Sequence, residues 1–247
     1  MALKDSNFII LKDTDTQWKK FGKSIPYFGV LSNQKYKKKT LSEDDFIEFF
    51  KSGEEEMRDI YRYIKKHIKP DFSPKSSLDF GCGVGRLVIP ISKISTRVCG
   101  VDVSEEMINE ARRNCDRYSV KNATLLLSDD TVFCLHEKFD FINTSKVLQH
   151  IPEERGQKIF ARMLELLDVG GVGVFDFCYY GAPRHSLINQ IKMKLNIYLK
   201  NEPLMLMHNY NLNEIFHQIQ ESGITDMHVL MSDKGHKHLG IRIFLAK

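Results

Sequence analysis

The sequence predicts an α/β fold: a doubly wound, mostly parallel sheet of seven strands with helices on both faces. Three observations predict it. Short apolar runs alternate with amphipathic helical patterns over residues 76–177, a rhythm typical of parallel sheets covered on both faces. A glycine-rich turn follows the first run. Near the carboxyl terminus a short turn separates two strands, which must be antiparallel, because a parallel return needs about a dozen residues or more.

The amino-terminal region, residues 1–72, is predicted to be an aromatic arm followed by helices that cover the site. Its first forty residues carry aromatic side chains around glycines and Pro26, which is typical of an extended, folded arm, since disordered segments lack aromatic residues. Residues 42–68 then show helical spacing, starting from a serine-x-x-aspartate box at Ser42. This helix is expected to be broken or capped near Gly53.

Residues 73–247 are predicted to form the main domain. Its predicted strands are residues 76–80, 97–103, 123–129, 139–145, 171–177, 226–232 and 241–246. Four helices are predicted in this domain. The first begins near Arg86, the second spans 104–118, the third runs from Pro152 to the glycines at 170–171, and the fourth spans 211–223. Residues 180–210 fall outside this rhythm and are predicted to form a lid-like insertion over the carboxyl ends of the strands.

Composition narrows the class of protein. The 247 residues carry a net charge of +4, well below what is expected of a protein that binds many phosphates, so nucleic acid is not the predicted partner. No apolar run is long enough to span a bilayer, and the amino terminus lacks the pattern of a signal peptide. Five cysteines without a CxxC pair indicate thiols in a reducing cytoplasm and no metal site.

The glycine turn "DFGCGVGRL" lies where open α/β sheets bind ligands, after the first strand. It lacks the lysine of a phosphate-binding P-loop. It also has Arg86 where a dinucleotide-binding turn needs its third glycine for close packing of helix on strand. Neither a nucleoside triphosphate nor a nicotinamide dinucleotide is therefore the predicted ligand.

Two acidic residues narrow the predicted class of ligand. Asp79 precedes the glycines, where a carboxylate would repel a pyrophosphate but suits an ammonium group. Asp102 ends the second strand, beside the first turn, where its carboxylate can accept hydrogen bonds from both ribose hydroxyls. The site therefore favours a ligand with a ribose and a positive charge but no phosphate.

S-adenosylmethionine meets this description, and the sequence resembles the class I S-adenosylmethionine-dependent methyltransferases. The resemblance rests on "LDFGCGVGR", "GVDVSEEMI", "LLLSDD", "FDFINTSKVLQHIP" and "LLDVGGVGVFDF" in this order. It implies the Rossmann-like methyltransferase fold, whose last strand is antiparallel, and S-adenosylmethionine as methyl donor with S-adenosylhomocysteine as product. It implies that Asp102 binds the ribose and that Asp129 and the backbone of Asp130 meet the adenine, although the adjacent aspartates leave this register open. Met107 could be an adenine wall or a core residue, and Cys82 a small filler of the turn. The implied donor site comprises Asp79, Phe80, Gly81, Cys82, Gly83, Gly85, Asp102, Val103, Met107, Asp129, Asp130 and Ser145.

Methyl transfer needs an aligned nucleophile and a base for its proton. His150 follows the fourth strand, opposite the expected methyl group, and an imidazole exchanges protons near neutral pH. It is the predicted catalytic base, with packing at the start of the next helix as the alternative role. Lys146 is a lesser candidate and is expected to be a surface charge.

The acceptor is predicted to be a small molecule methylated at an oxygen or nitrogen. The "NTSK" segment after the fourth strand lacks the Asn/Asp-Pro-Pro-Tyr/Phe motif of base and glutamine amino-methyltransferases, and it lacks the Pro-Cys of cytosine C5 enzymes. Trp18, Tyr27, Phe28 and Tyr180 are predicted to enclose the acceptor. The alternatives are an RNA methyltransferase using "KYKKK" and a catalytically silent donor-binding regulator. No oligomeric state is predicted.

Overall fold

The computed structural model describes residues 14–38, 41–129, 135–181, 203–233 and 239–247. These residues form a seven-stranded sheet in the order β3-β2-β1-β4-β5-β7-β6. The strands are β1 (Ser76–Phe80), β2 (Arg97–Asp102), β3 (Ala123–Leu127), β4 (Phe139–Thr144), β5 (Leu167–Tyr180), β6 (Asp226–Asp233) and β7 (Leu239–Ala246). Strand β7 pairs antiparallel with both β5 and β6, and the other pairs are parallel. The predicted fold class and its antiparallel hairpin are confirmed.

Helices lie on both faces of this sheet. They are α1 (Thr14–Ser24), α2 (Pro26–Val30), α3 (Glu43–His67), α4 (Val88–Ser92), α5 (Glu105–Arg117), α6 (Glu153–Leu166) and α7 (Leu212–Glu221). The two predicted serine caps are present: the Ser42 hydroxyl accepts the Asp45 N–H at 3.2 Å, and the Ser104 hydroxyl accepts the Met107 N–H at 3.3 Å. None of the described helices is long and apolar enough to cross a membrane.

Helix α3 corrects the prediction of a break at Gly53. The helix runs without interruption for 25 residues, and Gly53 lies inside it because α3 crosses the glycine turn at very close range. A Cβ atom at Gly53 would overlap the carbonyl oxygen of Arg86. The glycine therefore serves close packing rather than termination.

The amino-terminal arm corrects a second prediction. The aromatic segment is helical, as α1 and α2, and not extended. Phe21 and Gly22 of α1 are buried, and a Cβ at Gly22 would overlap the Ser104 hydroxyl. The segment folds back as a helix because its aromatic side chains and this glycine dock on the start of α5. The division at residue 72 stays a prediction.

Two further boundaries differ from the prediction. Helix α6 ends at Leu166, and β5 starts at Leu167, because Leu167 pairs with Phe139 of β4. The glycines predicted to end the helix are thus within the strand. After β1 the chain makes turns until α4 begins at Val88, two residues later than expected. These turns carry the glycines that build the site.

Candidate active site

The glycine turn after β1 is the centre of the site. Gly81, Gly83 and Gly85 all have positive φ angles, of 71°, 52° and 85°, which side chains rarely adopt. The N–H groups of Gly81 and Cys82 donate to the Val101 carbonyl at 2.8 and 2.9 Å, which fastens the turn to β2. The turn therefore presents bare backbone at the carboxyl ends of β1 and β2.

Asp102 ties the end of β2 to this turn. One carboxylate oxygen accepts the Gly83 N–H and the other accepts the Ser104 N–H, each at 2.9 Å. Burial raises its pKa to about 6, although these backbone hydrogen bonds oppose the shift. Its carboxylate is thus held in one orientation at the wall of the cavity.

Asp79 at the end of β1 is almost completely buried. Its Oδ1 accepts a hydrogen bond from the Asn143 side-chain amide of β4 at 2.8 Å. Burial raises its pKa to about 7, and the nearby Arg86 guanidinium opposes the rise. A buried carboxyl group of this kind gains most from a ligand that brings a positive charge.

A cavity of about 950 Å³, counted with its open mouth, lies over the turn. Most of the predicted site residues line it, namely Trp18, Asp79, Phe80, Gly81, Cys82, Gly83, Asp102, Val103, Met107, Asp129, Ser145 and His150. Asp130 lies outside the described residues.

Four predicted site residues do not line the cavity. Gly85 lies beside Ala111 of α5, where an added Cβ would come to 3.4 Å. The Tyr27 hydroxyl donates to Glu110 at 2.5 Å, and its ring packs on Phe49. The two remaining side chains lie elsewhere: Phe28 packs near Phe21, and Tyr180 is 62% exposed at the end of β5. The aromatic arm thus sends Trp18, and not Tyr27 or Phe28, to the cavity.

His150 lies in a short 3-10 turn after β4 and is 7% exposed. Its Nδ1 lies 2.6 Å from the carbonyl oxygen of Leu206. A carbonyl only accepts, so this contact places the proton of the neutral ring on Nδ1 and the lone pair on Nε2. Nε2 lies 3.2 Å from the side-chain amide nitrogen of Gln149, and Trp18 packs edge-on against the ring.

A buried ionic cluster adjoins the cavity, and the sequence did not reveal it. Glu56 of α3 is at its centre. Its Oε2 accepts from Arg86 at 2.6 Å and Lys146 at 3.0 Å, and its Oε1 accepts from Ser145 at 2.5 Å and Arg242 at 2.9 Å. Burial alone would raise the pKa of Glu56, but the three cations hold it well below its usual range. The sequence contains one sign of this cluster, since Arg86 stands within the apolar run "GRLVIP". A charged side chain that is buried there needs a partner of opposite charge.

Lys146 corrects the expectation of a surface charge. It lies on the cavity wall, half-buried, and donates to Glu56. Burial lowers its pKa, and the Glu56 carboxylate opposes this shift. Its φ of 62° is rare for a residue with a side chain and costs about 1 kcal/mol or more, a strain that proteins keep mostly at functional sites.

Helix α1 closes part of the cavity from above. Nη2 of Arg155 in α6 donates to both carboxylate oxygens of Asp15, at 2.7 and 2.9 Å, and its Nη1 donates to the Thr14 hydroxyl at 3.1 Å. The partners are about 140 residues apart in the sequence. Farther along the chain, residues 203–210 contact this cover, since the Gln17 side chain accepts the Leu204 N–H at 2.9 Å.

Fold and site together define the class. A cavity over a three-glycine turn, an acid at the end of β2 and a β7 antiparallel to its neighbours are features of the class I S-adenosylmethionine-dependent methyltransferases. Residues 78–171 match the family model described as a methyltransferase domain. This match and the fold support a class I S-adenosylmethionine-dependent methyltransferase.

Curated relatives match part of the chain. It is 32% identical over 91 residues to the magnesium-protoporphyrin O-methyltransferase of Synechocystis, covering 36% of this chain and 39% of that protein. It is 32% identical over 105 residues to a probable cobalt-precorrin-6B C(15)-methyltransferase of Saccharolobus solfataricus, covering 40% of this chain and 50% of that protein. For a ubiquinone biosynthesis O-methyltransferase of Coxiella burnetii, identity is 28% over 116 residues, covering 44% and 45%. The matched region thus spans half or less of each relative.

Solved structures share the fold over more of the chain. The Synechocystis magnesium protoporphyrin IX methyltransferase, crystallised with S-adenosylmethionine, superposes with a TM-score of 0.61 at 18% identity over 95% of this chain and 98% of that one. A Haemonchus contortus phosphoethanolamine N-methyltransferase, in complex with phosphomonomethylethanolamine and S-adenosylhomocysteine, superposes with a TM-score of 0.55 at 16% identity over 76% of this chain and 52% of that one. At these identities the likeness concerns the fold.

Proposed function

We propose that the protein transfers a methyl group from S-adenosylmethionine to an oxygen or nitrogen of a small-molecule acceptor. The observation that carries the proposal is the pairing of the bare glycine turn with two acids, the half-buried Asp102 and the buried Asp79, on one cavity wall. A Cβ on Gly81 would come to 2.5 Å of Val147, and one on Gly83 to 2.6 Å of Val30. The two valines line the same cavity, so a side chain at either glycine would collide with the cavity wall.

The described residues fit the parts of this donor. Asp102 would accept the ribose hydroxyls, because its carboxylate is fixed by two backbone N–H groups and faces the cavity. Met107 and Asp129 lie on the same wall, where the adenine would extend. Asp79 would pair with the α-ammonium of the methionine tail. When bound, the donor supplies an electrophilic methyl group on a sulfonium.

His150 is the proposed base. The Leu206 carbonyl holds its Nδ1–H, so Nε2 carries the lone pair that would take the acceptor's proton. Trp18 orients the ring and gives the acceptor an apolar face. Release of Nε2 from the Gln149 amide would accompany acceptor binding. Relatives named as O-methyltransferases support an oxygen as the methylated atom.

Calorimetry with S-adenosylhomocysteine, followed by incubation of small-molecule extracts and RNA with methyl-labelled donor, tests the proposal. We expect micromolar-range binding and label in a small molecule. Label in RNA, with binding that weakens steeply as salt rises, would favour an RNA methyltransferase. Tight binding without labelled product would favour a silent regulator, and absent binding would overturn the donor assignment.

A cytoplasmic location is also proposed. The four cysteines among the described residues, Cys82, Cys99, Cys115 and Cys178, are buried thiols. Thiols of this kind are typical of proteins in a reducing compartment. Cys134 lies outside the described residues.

A further inference from the structure

The short helix α2 lies against the glycine turn. Its last residue, Val30, is so close to Gly83 that a Cβ there would come to 2.6 Å of a Val30 methyl carbon. A Cβ on the preceding Gly29 would come to 3.1 Å of the Met107 methyl carbon. Gly29, Val30, Gly83 and Met107 all line the cavity. The position of α2 therefore shapes the part of the cavity in which the donor is proposed to bind.

Helix α2 has little stability of its own. It has five residues, Pro26–Val30, and the residue at its amino-terminal cap, Ile25, offers no side-chain hydrogen bond. Isolated helices shorter than about 12 residues are marginal in water, so α2 is held by what it packs against. Tyr27 carries the only polar side-chain atom of the helix. A directional side-chain contact from α2 therefore has to come from Tyr27.

Tyr27 is inserted between α3 and α5. Its ring packs edge-on against Phe46 and Phe49 of α3, with ring centroids 5.9 and 5.0 Å apart. Its hydroxyl donates to Glu110 Oε1 of α5 at 2.5 Å and lies 3.2 Å from Asn114 Oδ1. Burial and the Glu110 carboxylate raise the pKa of Tyr27 above its usual range, so the hydroxyl keeps the proton that it donates. The side chain thus anchors α2 to both helices.

Asn114 connects this anchor to the turn itself. It is 3% exposed, and its side-chain amide donates to the Val84 carbonyl of the turn at 2.9 Å. One helical turn earlier on α5, Ala111 lies against Gly85. The glycine turn is therefore in contact with both α5 and α2, and Tyr27 joins these two helices.

We infer that Tyr27 is a positioning residue for donor binding, which acts through the packing of Val30 on Gly83. The inference rests on the proposed function. Anchored by Tyr27, α2 stays at the glycine turn and completes the donor cavity, and a bound donor contacts α2 and holds it in place. Donor binding and docking of α2 stabilise one another, because the coupling between two sites is reciprocal. Tyr27 thus serves the site without lining the cavity, unlike the acceptor contact that the sequence predicted.

Calorimetry with S-adenosylhomocysteine on the full chain tests this role. Tyr27→Phe removes the hydroxyl and keeps the ring, and we expect it to lose about five- to tenfold in affinity. Tyr61→Phe is the matched control, because the Tyr61 hydroxyl donates to the Phe72 carbonyl at 2.7 Å, away from the cavity. This control should bind within about twofold of wild type. In a Val30→Ala background, Tyr27→Phe should cost less than about twofold, because α2 then packs weakly on the turn.

Hydrogen exchange of residues 25–31 is an independent measurement of the same coupling. The Gly29 N–H donates to the Ile25 carbonyl and the Leu31 N–H to the Tyr27 carbonyl, so exchange of both reports on α2. Saturation with S-adenosylhomocysteine should slow exchange there by about fivefold or more in wild type, and by less in Tyr27→Phe.

Several results would overturn the inference. They are an unchanged affinity in Tyr27→Phe, an equal loss in Tyr61→Phe, or the full loss from Tyr27→Phe again in the Val30→Ala background. Exchange of residues 25–31 that the bound ligand leaves unchanged in wild type would overturn it as well. Failure of the wild type to bind S-adenosylhomocysteine would instead overturn the proposed function itself.

Discussion

Two walls of the cavity are built in different ways. The donor wall, residues 79–83 with Asp102, Val103 and Met107, uses a backbone turn and acids at strand ends, which lie close together in the sequence. The cover wall, made by Trp18, Ser145, Lys146, His150 and Arg155, combines side chains from α1, α6 and the region after β4. Glu56 of α3 lies behind this wall and accepts a hydrogen bond from Lys146. The donor wall is a local structure, whereas the cover wall exists only once distant elements have packed together.

This difference bears on the function of each wall. A backbone cradle with fixed acids suits a ligand that never changes, which fits a common methyl donor. Side chains on separate helices are free to vary in type without disturbing the sheet, which fits an acceptor particular to each enzyme. We therefore expect substitutions in the donor wall to change donor affinity, and those in the cover wall to change turnover or stability.

Asp102→Ala should give the largest effect. It removes a carboxylate proposed to accept two ribose hydrogen bonds, each worth about 1.5–3 kcal/mol when charge-assisted, so the affinity for S-adenosylhomocysteine should fall by about 100-fold or more. Calorimetry measures it. Asp116→Ala, at an exposed aspartate on α5, is the control and should bind normally. An unchanged affinity in Asp102→Ala would remove the donor wall from this role.

The sequence placed Asp79, the glycine turn and Asp102 side by side for a physical reason, and they line one cavity. Their positions depend on backbone conformation and on the ends of strands, both of which local patterns encode. The Gly83 N–H bonded to Asp102 is only 19 residues away in the chain. Helix α5 likewise began at its predicted serine cap.

The cover wall could not be predicted in the same way. Glu56 is one of three consecutive glutamates, and nothing in that run distinguishes the one that meets Arg86 and Lys146. Gly53 had the local signature of a helix break, and tertiary packing reversed it. Trp18 and Tyr27 looked alike as aromatic residues of one arm, yet only Trp18 reaches the cavity.

His150→Gln should distinguish the role of the cover wall in turnover from the role of the donor wall in donor affinity. If His150 is the base, turnover should fall by about 100-fold, with donor affinity changed less than twofold. Steady-state kinetics with labelled donor, together with calorimetry, measures both quantities. His217→Gln on the exposed face of α7 is the matched control. Near-normal turnover would assign His150 to packing against Trp18 and Leu206.

Gly53→Ala tests how closely the cover wall depends on packing. Alanine favours a helix over glycine by about 1 kcal/mol, but its Cβ would overlap the Arg86 carbonyl, and overpacking costs about 1–3 kcal/mol. We expect a net loss of about 1–2 kcal/mol in the free energy of unfolding. Chemical denaturation measures it, with the exposed Glu55→Ala on the same helix as control. A higher free energy of unfolding in Gly53→Ala would show that α3 can move away from the Arg86 carbonyl at little cost.

The pH dependence of donor binding tests the charge of the donor wall and should be the smallest effect. With a pKa of about 7 in the free protein, Asp79 ionises mostly between about pH 6 and 7.5, and only the ionised form attracts the ligand's ammonium. Affinity for S-adenosylhomocysteine should therefore rise by about five- to tenfold over that interval.

The pKa of Asp79 also affects stability. Its folded value of about 7 lies above the unfolded value of 3.8, so between these pH values the folded protein binds a proton that the unfolded protein has lost. Its free energy of unfolding should fall as pH rises from about 4 to 7.

Asp79→Asn is the variant that isolates this group. Asp79 faces Asn143, Arg86, Glu56 and Asp102, and of these Asp102, whose pKa is about 6, also ionises near this interval. The variant should lose most of the pH dependence of donor binding above pH 7, where Asp102 is already ionised. It should also be more stable than wild type at pH 8, but not at pH 4. Undiminished pH dependence of binding in Asp79→Asn would mean that Asp102 carries the charge-sensitive contact. The donor wall would then contain only the acid that binds the ribose, and the ligand's ammonium would pair with a residue outside this wall.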